Sequence, residues 1–211
     1  LLAARMKPPV EVTPVRLPTE IRRAEIVAAV LRLAATRSPA AITTGDMAAE
    51  LGFSQGAVFR HFPAKDAIWM AVLDWVDAEL IAALDAAAQQ GATPLEGLER
   101  VFMAHIRFVV ASPGVPRIIF HELQHPDDTP LKQRVRALLG RYRQILARLL
   151  DAAADRGLLL AGLDRQAAAT LFIGTIQGLV MQSMLAADAS AIEDDARRVV
   201  ALYLRAIEEK S

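Results

Sequence analysis

The chain has 211 residues, no cysteine and 54% hydrophobic residues, and its formal net charge is zero. The length is sufficient for a substantial buried core. The lack of cysteine excludes a disulfide scaffold and thiolate metal sites, and it fits a reducing cytoplasm. The zero net charge argues against a protein that coats nucleic acid with its whole surface. The charge is uneven along the chain, because residues 1–66 carry a net +3 and residues 67–211 a net −3.

The N-terminal segment, residues 1–18, is predicted to be a flexible extension. It contains four prolines and lacks the apolar run that precedes the cleavage site of a signal peptide. Beyond it, the helical spacing of Ile26, Val30 and Leu33 predicts a first helix over 19–36. We expect residues 19–66 to form one domain and residues 67–211 a second, larger one.

Two short helical patterns joined by a tight turn follow the first helix. Apolar residues share one face of a predicted helix over 44–51 and the inner face of another over 55–62. Between them, Gly52 can adopt the positive φ that ends one helix, and Ser54 can cap the next. The arrangement is that of a helix-turn-helix, whose second helix can enter a DNA major groove.

The rest of the chain is predicted to be helical, so that the fold class is all-α. Further helices are expected over 64–90, 94–111, 115–124, 130–156, 164–187 and 190–209, the last beginning with a capping box from Ser190 to Glu193. No segment shows strand alternation bounded by turn residues. The most apolar stretch, 167–187, carries Gln177 and Gln182 and is interpreted as a buried helix, not a membrane span.

The free face of the 55–62 helix carries side chains suited to DNA. Gln55 can hydrogen-bond the edge of a base, most simply adenine. Gly56 and Ala57 are small enough for the helix to approach the groove closely. Arg60 can reach guanine or phosphate, and Lys65 is expected to contact phosphate.

This segment closely resembles the TetR/AcrR family of bacterial transcriptional regulators over roughly residues 20–70. The matching residues are Ile42-Thr43-Thr44, Asp46-Met47-Ala48, Leu51-Gly52-Phe53-Ser54, Gly56, Val58-Phe59-Arg60-His61-Phe62 and Lys65-Asp66. The resemblance implies a three-helix DNA-binding head on a larger helical body, about nine helices in all. The DNA contacts that follow are Thr43, Thr44, Gly45, Ser54, Gln55, Gly56, Ala57, Phe59, Arg60, His61 and Lys65.

Two residues depart from the family pattern. Phe59 stands where the family usually has tyrosine, so a hydroxyl to phosphate is missing, at a cost of about 1 kcal/mol for the lost hydrogen bond. Gly45 has no side chain at a position where some members read a base. Ring packing of Phe59 against the sugar-phosphate backbone is still expected.

The segment His121-Glu122-Leu123-Gln124-His125 matches the zinc metalloprotease pattern of two histidines one helical turn apart. Against catalysis, Pro126 is expected to end the helix, and no later histidine supplies a third ligand. A zinc-dependent hydrolase using His121, Glu122 and His125 is the alternative function. A metal effector bound by the two histidines with His105 is another reading, and ordinary polar or surface histidines are a third.

The resemblance also implies an effector site among the fourth to eighth helices. Adaptable apolar groups with a few polar ones suit a largely apolar ligand that has one or two hydrogen-bonding atoms. The expected lining residues are Trp75, Phe102, Met103, His105, Ile106, Phe120, His121, Gln124, Gln177, Met181 and Met184.

The last two helices are candidates for a dimer interface. Small residues on the eighth helix allow close backbone approach in an intermolecular four-helix bundle, although the same residues can pack within one chain. The expected interface residues are Leu171, Gly174, Gly178, Leu179, Val199 and Tyr203.

The sequence therefore predicts a cytoplasmic, homodimeric transcriptional regulator without enzymatic activity. Its expected partners are a palindromic DNA operator, a small-molecule effector that releases a repressor from it, and a second copy of the chain. No cofactor, metal or membrane partner is expected. Besides the zinc hydrolase, the remaining alternative is a helical interaction module whose head does not select DNA sequences.

Overall fold

The structure is a computed structural model that describes residues 18–186 and 191–209. Within these ranges the fold is all-α, as predicted, and the expected extension up to residue 17 and the cap at Ser190 lie outside them. A 3-10 helix spans Pro39–Ala41, and the α-helices are α1 (Thr19–Thr36), α2 (Thr44–Glu50), α3 (Gln55–Phe59), α4 (Lys65–Gln89), α5 (Pro94–Ala111), α6 (Gly114–Leu123), α7 (Pro130–Asp155), α8 (Arg165–Ala186) and α9 (Ile192–Ile207).

The head consists of α1, α2 and α3 around a small apolar core. Ile26 of α1, Met47 of α2, Val58 of α3 and Phe62 just after α3 are all fully buried in it. Burial of each such side chain contributes about 1.5–3 kcal/mol. The core thereby fixes the inner side of α3 and leaves the opposite side facing solvent.

The helix α3 ends earlier than the predicted 55–62 range. The N–H groups of His61 and Phe62 both donate to the carbonyl of Val58, which tightens the chain after Phe59. Because Pro63 disfavours a helical conformation at the residue before it, the helix cannot continue. This tight turn after α3 directs the Phe62 ring into the core of the head.

The body is a bundle in which α5 lies against α4, α7, α8 and α9. Its centre is an aromatic cluster in which the Phe172 ring meets the rings of Phe102, Tyr142 and Tyr203 edge-on, at 5.2, 6.4 and 5.3 Å between centroids. Such edge-to-face contacts add to the stabilisation from area burial. The 25-residue α4 passes from the head into this bundle.

Head and body meet where the start of α6 packs on the second half of α1. A Cβ atom at Gly114 would lie 2.3 Å from the Leu31 carbonyl oxygen and 3.1 Å from the Ala34 Cβ. Only glycine therefore permits this approach. The same α6 lies against α7 in the body, so it links the head to the bundle.

The helix α8 is only partly buried, which corrects its interpretation as a buried core helix. By length and composition it is apolar enough to cross a membrane, yet 39% of its most apolar window is buried inside the protein, against α5, α7 and α9. On its outer side Leu171, Met181 and Leu185 are 55%, 53% and 82% exposed. The helix thus has one core face and one apolar face open to solvent.

Candidate DNA-binding surface and ligand cavity

A Schellman-type turn separates α2 from α3. Gly52 has φ +67°, the Phe53 N–H donates to the Ala48 carbonyl at 2.8 Å, and the Gly52 N–H donates to the Ala49 carbonyl at 3.1 Å. This pairing satisfies the last carbonyls of α2. It requires a residue in the left-handed conformation, which glycine adopts without strain. The predicted role of Gly52 is confirmed.

A capping box and an ion pair hold the start of α2. The Thr43 hydroxyl accepts from the Asp46 N–H at 3.1 Å, and the Asp46 carboxylate accepts from the Thr43 N–H at 2.7 Å. Arg37 pairs with the same carboxylate at 2.9 Å. Hydrogen bonds from Arg37 and Thr43 hold the pKa of Asp46 well below its usual range. The Thr43 hydroxyl is thus already engaged by Asp46.

The solvent face of α3 carries exposed residues of mixed chemistry. Gln55, Gly56 and Arg60 are exposed, and the Phe59 ring is 44% exposed although it is aromatic. A Cβ at Gly56 would meet no atom within 4 Å, so nothing in the described chain obstructs this face. Ser54 stands at the N-cap position but makes no side-chain capping bond, and its side chain is left exposed.

One polar contact joins the two helices of the motif. The Gln55 amide donates to the Thr44 hydroxyl at 2.7 Å, and Thr44 is 9% exposed. The Thr44 hydroxyl accepts this bond and thereby orients Gln55, and its own proton and the Thr44 backbone stay available to donate to a phosphate. A base that bonds Gln55 meets an amide whose position is already restricted, which lowers the entropy cost of the contact.

Two further predicted phosphate contacts lie beside α3. His61 is half-buried, and its Nδ1 is enclosed without a hydrogen-bond partner among the described residues. The Lys65 ammonium lies 5.9 Å from the centroid of the Trp69 ring at the start of α4. Lys65 therefore places a positive charge at the start of α4, five residues after the exposed Arg60.

A cavity of about 90 Å³ lies inside the body, between α4, α5, α6, α7 and α8. Three of the residues predicted to bind an effector line it, namely His105, Phe120 and Gln177. Sequence reasoning missed Tyr142, which also lines it and whose hydroxyl lies 3.2 Å from Nδ1 of His105. The other lining residues are Leu80, Phe108, Val109, Val115, Pro116, Ile119, Leu123, Val135, Leu138, Leu139, Ile173, Ile176 and Val180.

The other predicted effector residues lie outside this cavity. Phe102 and Ile106 are fully buried in the core. Met103 is also buried, and it borders a separate pocket that is lined by α5 residues. Gln124 and Met181 are exposed, and Met184 borders a separate pocket beside Ile192. Trp75 is adjacent to the cavity, because its ring stacks on Phe108 at 6.1 Å between centroids. Helix periodicity predicts which residues face inward, but it does not show whether each one faces the core, this cavity or another pocket.

The segment with His121 and His125 at the end of α6 makes a structural contact with the start of α7. The Thr129 hydroxyl, which caps α7, donates to the carboxylate of Glu122, which is 9% exposed. His121 and His125 are exposed beside a second cavity of about 360 Å³, away from His105. No group of three or more His, Cys, Asp or Glu side chains in the described ranges is arranged to hold a metal ion. The zinc-hydrolase alternative is therefore not supported.

The six predicted dimer residues divide between the outer surface and the core of the chain. Leu171 and Gly174 are exposed, and Gly178 and Val199 are half-buried. Leu179 and Tyr203 are buried within the chain itself, where the Tyr203 hydroxyl donates to the Ala168 carbonyl at 3.1 Å. Burial raises the pKa of Tyr203 above its usual value. The exposed part of the predicted interface is thus the outer face of α8.

An ion-pair ladder joins α4 to α7. Arg134 lies 2.8 Å from Asp74 and 2.9 Å from Asp77, and Arg141 also pairs with Asp77. Asp77 is fully buried, and its carboxylate lies within ion-pair distance of both arginines. A third rung, Arg148 to Asp85, lies nearer the surface. The arginines recur every seven residues, so they project from one face of α7.

The short helix α3 has an open face and is held by a tight turn on a three-helix core, and a larger helical body follows it. These features define a helix-turn-helix DNA-binding regulator. A family model described as bacterial regulatory proteins, tetR family, matches residues 26–72, and one described as tetracyclin repressor-like, C-terminal domain, matches residues 122–200. The chain belongs to the TetR/AcrR family of transcriptional regulators, whose members are not enzymes.

Similar proteins share this fold at low sequence identity. Nucleoid occlusion factor SlmA of Shewanella amazonensis is 24% identical over 161 residues, which is 76% of this chain and 82% of that protein. The structure of the ketosteroid regulator KstR2 of Mycobacterium tuberculosis has a TM-score of 0.75 at 20% identity, covering 90% of this chain and 96% of its own. The FadR regulator of Bacillus subtilis in complex with stearoyl-CoA has a TM-score of 0.72 at 20% identity, covering 84% and 96%.

Proposed function

We propose that the protein is a cytoplasmic homodimeric repressor that a small-molecule effector releases from a palindromic operator. In this proposal residues 19–66 bind DNA and residues 67–211 bind the effector and the second copy. The observation that carries it is the open face of α3, where the polar and basic residues Gln55 and Arg60 flank an exposed Phe59. A largely apolar aromatic ring in that setting suits a groove wall better than bulk solvent.

Each residue of this face has a distinct role in the proposal. Gln55, held by Thr44, reads a base edge, and the absence of bulk at Gly56 and Ala57 lets α3 approach the bases. Arg60 and Lys65 neutralise phosphates, which gives affinity for any sequence and makes it depend on salt. Base preference and general affinity are therefore supplied by different residues.

The outer face of α8 supports the homodimer. A Cβ at Gly174 or Gly178 would meet no atom within 4 Å, and Leu171 and Met181 beside them are more than half exposed. Burying such side chains against a second copy contributes up to about 1.5–3 kcal/mol for each when burial is complete. In the two-fold dimer that we propose, the same face of each copy is used.

The helix α4 is the proposed link from effector to DNA. Leu80 of α4 lines the cavity and Lys65 begins the helix at the head, about 22 Å away at 1.5 Å per residue. A small displacement at the cavity therefore moves the heads relative to each other. A hundredfold release of DNA requires the effector to favour the non-binding arrangement by about 2.7 kcal/mol per dimer.

Selection of DNA sequences by the full-length protein tests the proposal. A random double-stranded library should yield an inverted repeat whose half-sites are about 10 base pairs apart, or a multiple of that, because two heads related by symmetry enter successive major grooves. Sedimentation velocity on the selected duplex should give two protomers per repeat. Recovery of no enriched repeat would refute sequence-specific operator binding.

A further inference from the structure

The cavity in the body is lined by side chains that carry no formal charge. Only His105, Tyr142 and Gln177 among its lining residues have a nitrogen or oxygen in the side chain, and the others are aliphatic or aromatic. Lysine, arginine, aspartate and glutamate are all missing from the lining. The polar groups come from α5, α7 and α8, so a ligand that meets them bridges three helices of the body.

The two titratable lining residues are neutral at physiological pH. Burial lowers the pKa of the His105 imidazole to about 4, although part of the residue reaches solvent, and burial raises the pKa of the Tyr142 phenol well above its usual value. Nδ1 of His105 and the Tyr142 hydroxyl oxygen lie 3.2 Å apart, and the ring centroids 5.4 Å. The pair therefore offers neutral hydrogen-bonding groups and no charge of either sign.

We propose that this cavity binds an uncharged, largely apolar ligand with one hydrogen-bonding group directed at His105, Tyr142 or Gln177. The inference rests on the proposal that the cavity is the effector site, and it specifies the chemical class of the effector. An anion or cation inside the cavity would lose its hydration without an oppositely charged partner, whereas a hydroxyl or carbonyl exchanges water for these side chains. The phosphates of an acyl-CoA are therefore excluded from the cavity itself.

Three probes of nearly equal size and different charge test the inference. Benzyl alcohol, benzoate and benzylammonium each consist of one aromatic ring and one polar group, and calorimetric titration into the full-length protein at pH 7.5 measures their binding. We expect benzyl alcohol to bind at least about tenfold more tightly than either ion, which corresponds to about 1.4 kcal/mol. Benzoate or benzylammonium binding as tightly as benzyl alcohol would overturn the proposal, and so would the absence of binding by all three.

Two variants locate the binding within the cavity. Ile119→Phe and Val180→Phe add bulk to two walls of the cavity, on α6 and α8, and either one that keeps the helical circular dichroism of the wild type should abolish benzyl alcohol binding. At least one of Tyr142→Phe, His105→Phe and Gln177→Leu should reduce the preference for benzyl alcohol over toluene by about threefold to tenfold, because one hydrogen bond is lost. Unchanged binding in a folded bulky variant, or an unchanged preference in all three of these variants, would contradict the assignment.

Binding to the selected operator, measured on the same preparation, separates the two proposals. A protein that binds its operator but prefers benzoate contradicts only the ligand class. A protein that binds benzyl alcohol but no operator contradicts the regulatory function and leaves the chemistry of the cavity standing.

Discussion

The buried carboxylate of Asp77 allows a quantitative test of how α4 is fixed to α7. Asp77 is fully buried, whereas the side chains of its partners Arg134 and Arg141 are 33% and 46% exposed. Replacing both arginines by glutamine leaves a charge in the core without a partner, and this should destabilise the fold by about 3–5 kcal/mol. Arg141→Gln alone should cost only about 1.5 kcal/mol, because Arg134 remains 2.9 Å from the carboxylate.

Urea unfolding at a fixed protomer concentration measures these differences, since the dimerisation that we propose makes apparent stability depend on concentration. The matched control is Arg148→Gln, whose pair with Asp85 has 65% and 39% exposed side chains and should contribute about 0–1 kcal/mol. Adding Asp77→Asn to the double variant should recover about 2 kcal/mol, because a neutral amide is less costly to bury than an unpaired charge. The reasoning fails if the double variant is no less stable than Arg148→Gln, or if Asp77→Asn recovers nothing.

Two glycines give further predictions, for which Gly140 of α7 is the shared control because a Cβ there meets no atom within 4 Å. Gly178→Leu should convert the proposed dimer to monomer in sedimentation velocity, since the new side chain would hold the two α8 backbones of that dimer apart, whereas Gly140→Leu should stay dimeric. An unchanged dimer in Gly178→Leu would contradict an interface on this face of α8. Gly114→Ala should lower the free energy of unfolding by about 1–3 kcal/mol through its clash with the Leu31 carbonyl, whereas Gly140→Ala should raise it by up to about 1 kcal/mol. Equal effects of the two alanine substitutions in thermal unfolding would contradict the close approach of α1 and α6.

The parts of the fold that depend on local signals could be predicted from the sequence. The bounds of α5 match the prediction because Thr93 caps the helix, accepting from the Glu96 N–H at 3.1 Å, and Pro94 occupies the first position. The turn at Gly52 was equally predictable, because few residues adopt a positive φ without strain. Caps and turns of this kind depend only on residues that are close together in the sequence.

The parts that depend on contacts distant in sequence could not be predicted. An apolar residue on a helix can face the core, a cavity or another copy of the chain, and periodicity does not distinguish these environments. The sequence therefore predicts Met181 to line an effector site, whereas in the structure its side chain is exposed on the outer face of α8. Tyr142 was missed because its partner His105 is on another helix. Asp77 was missed too, since nothing near it in sequence indicates that two arginines of α7 neutralise it.

The most direct test of sequence-specific recognition by α3 compares two duplexes of equal length, one with the selected repeat and one with the same bases shuffled. Fluorescence anisotropy at about 150 mM salt should show the repeat bound at least about 1,000-fold more tightly. Gln55→Ala should reduce that ratio by about 1–3 kcal/mol, and Lys65→Ala should weaken both duplexes equally and flatten the salt dependence. Equal affinity of the wild-type protein for the two duplexes would contradict the account.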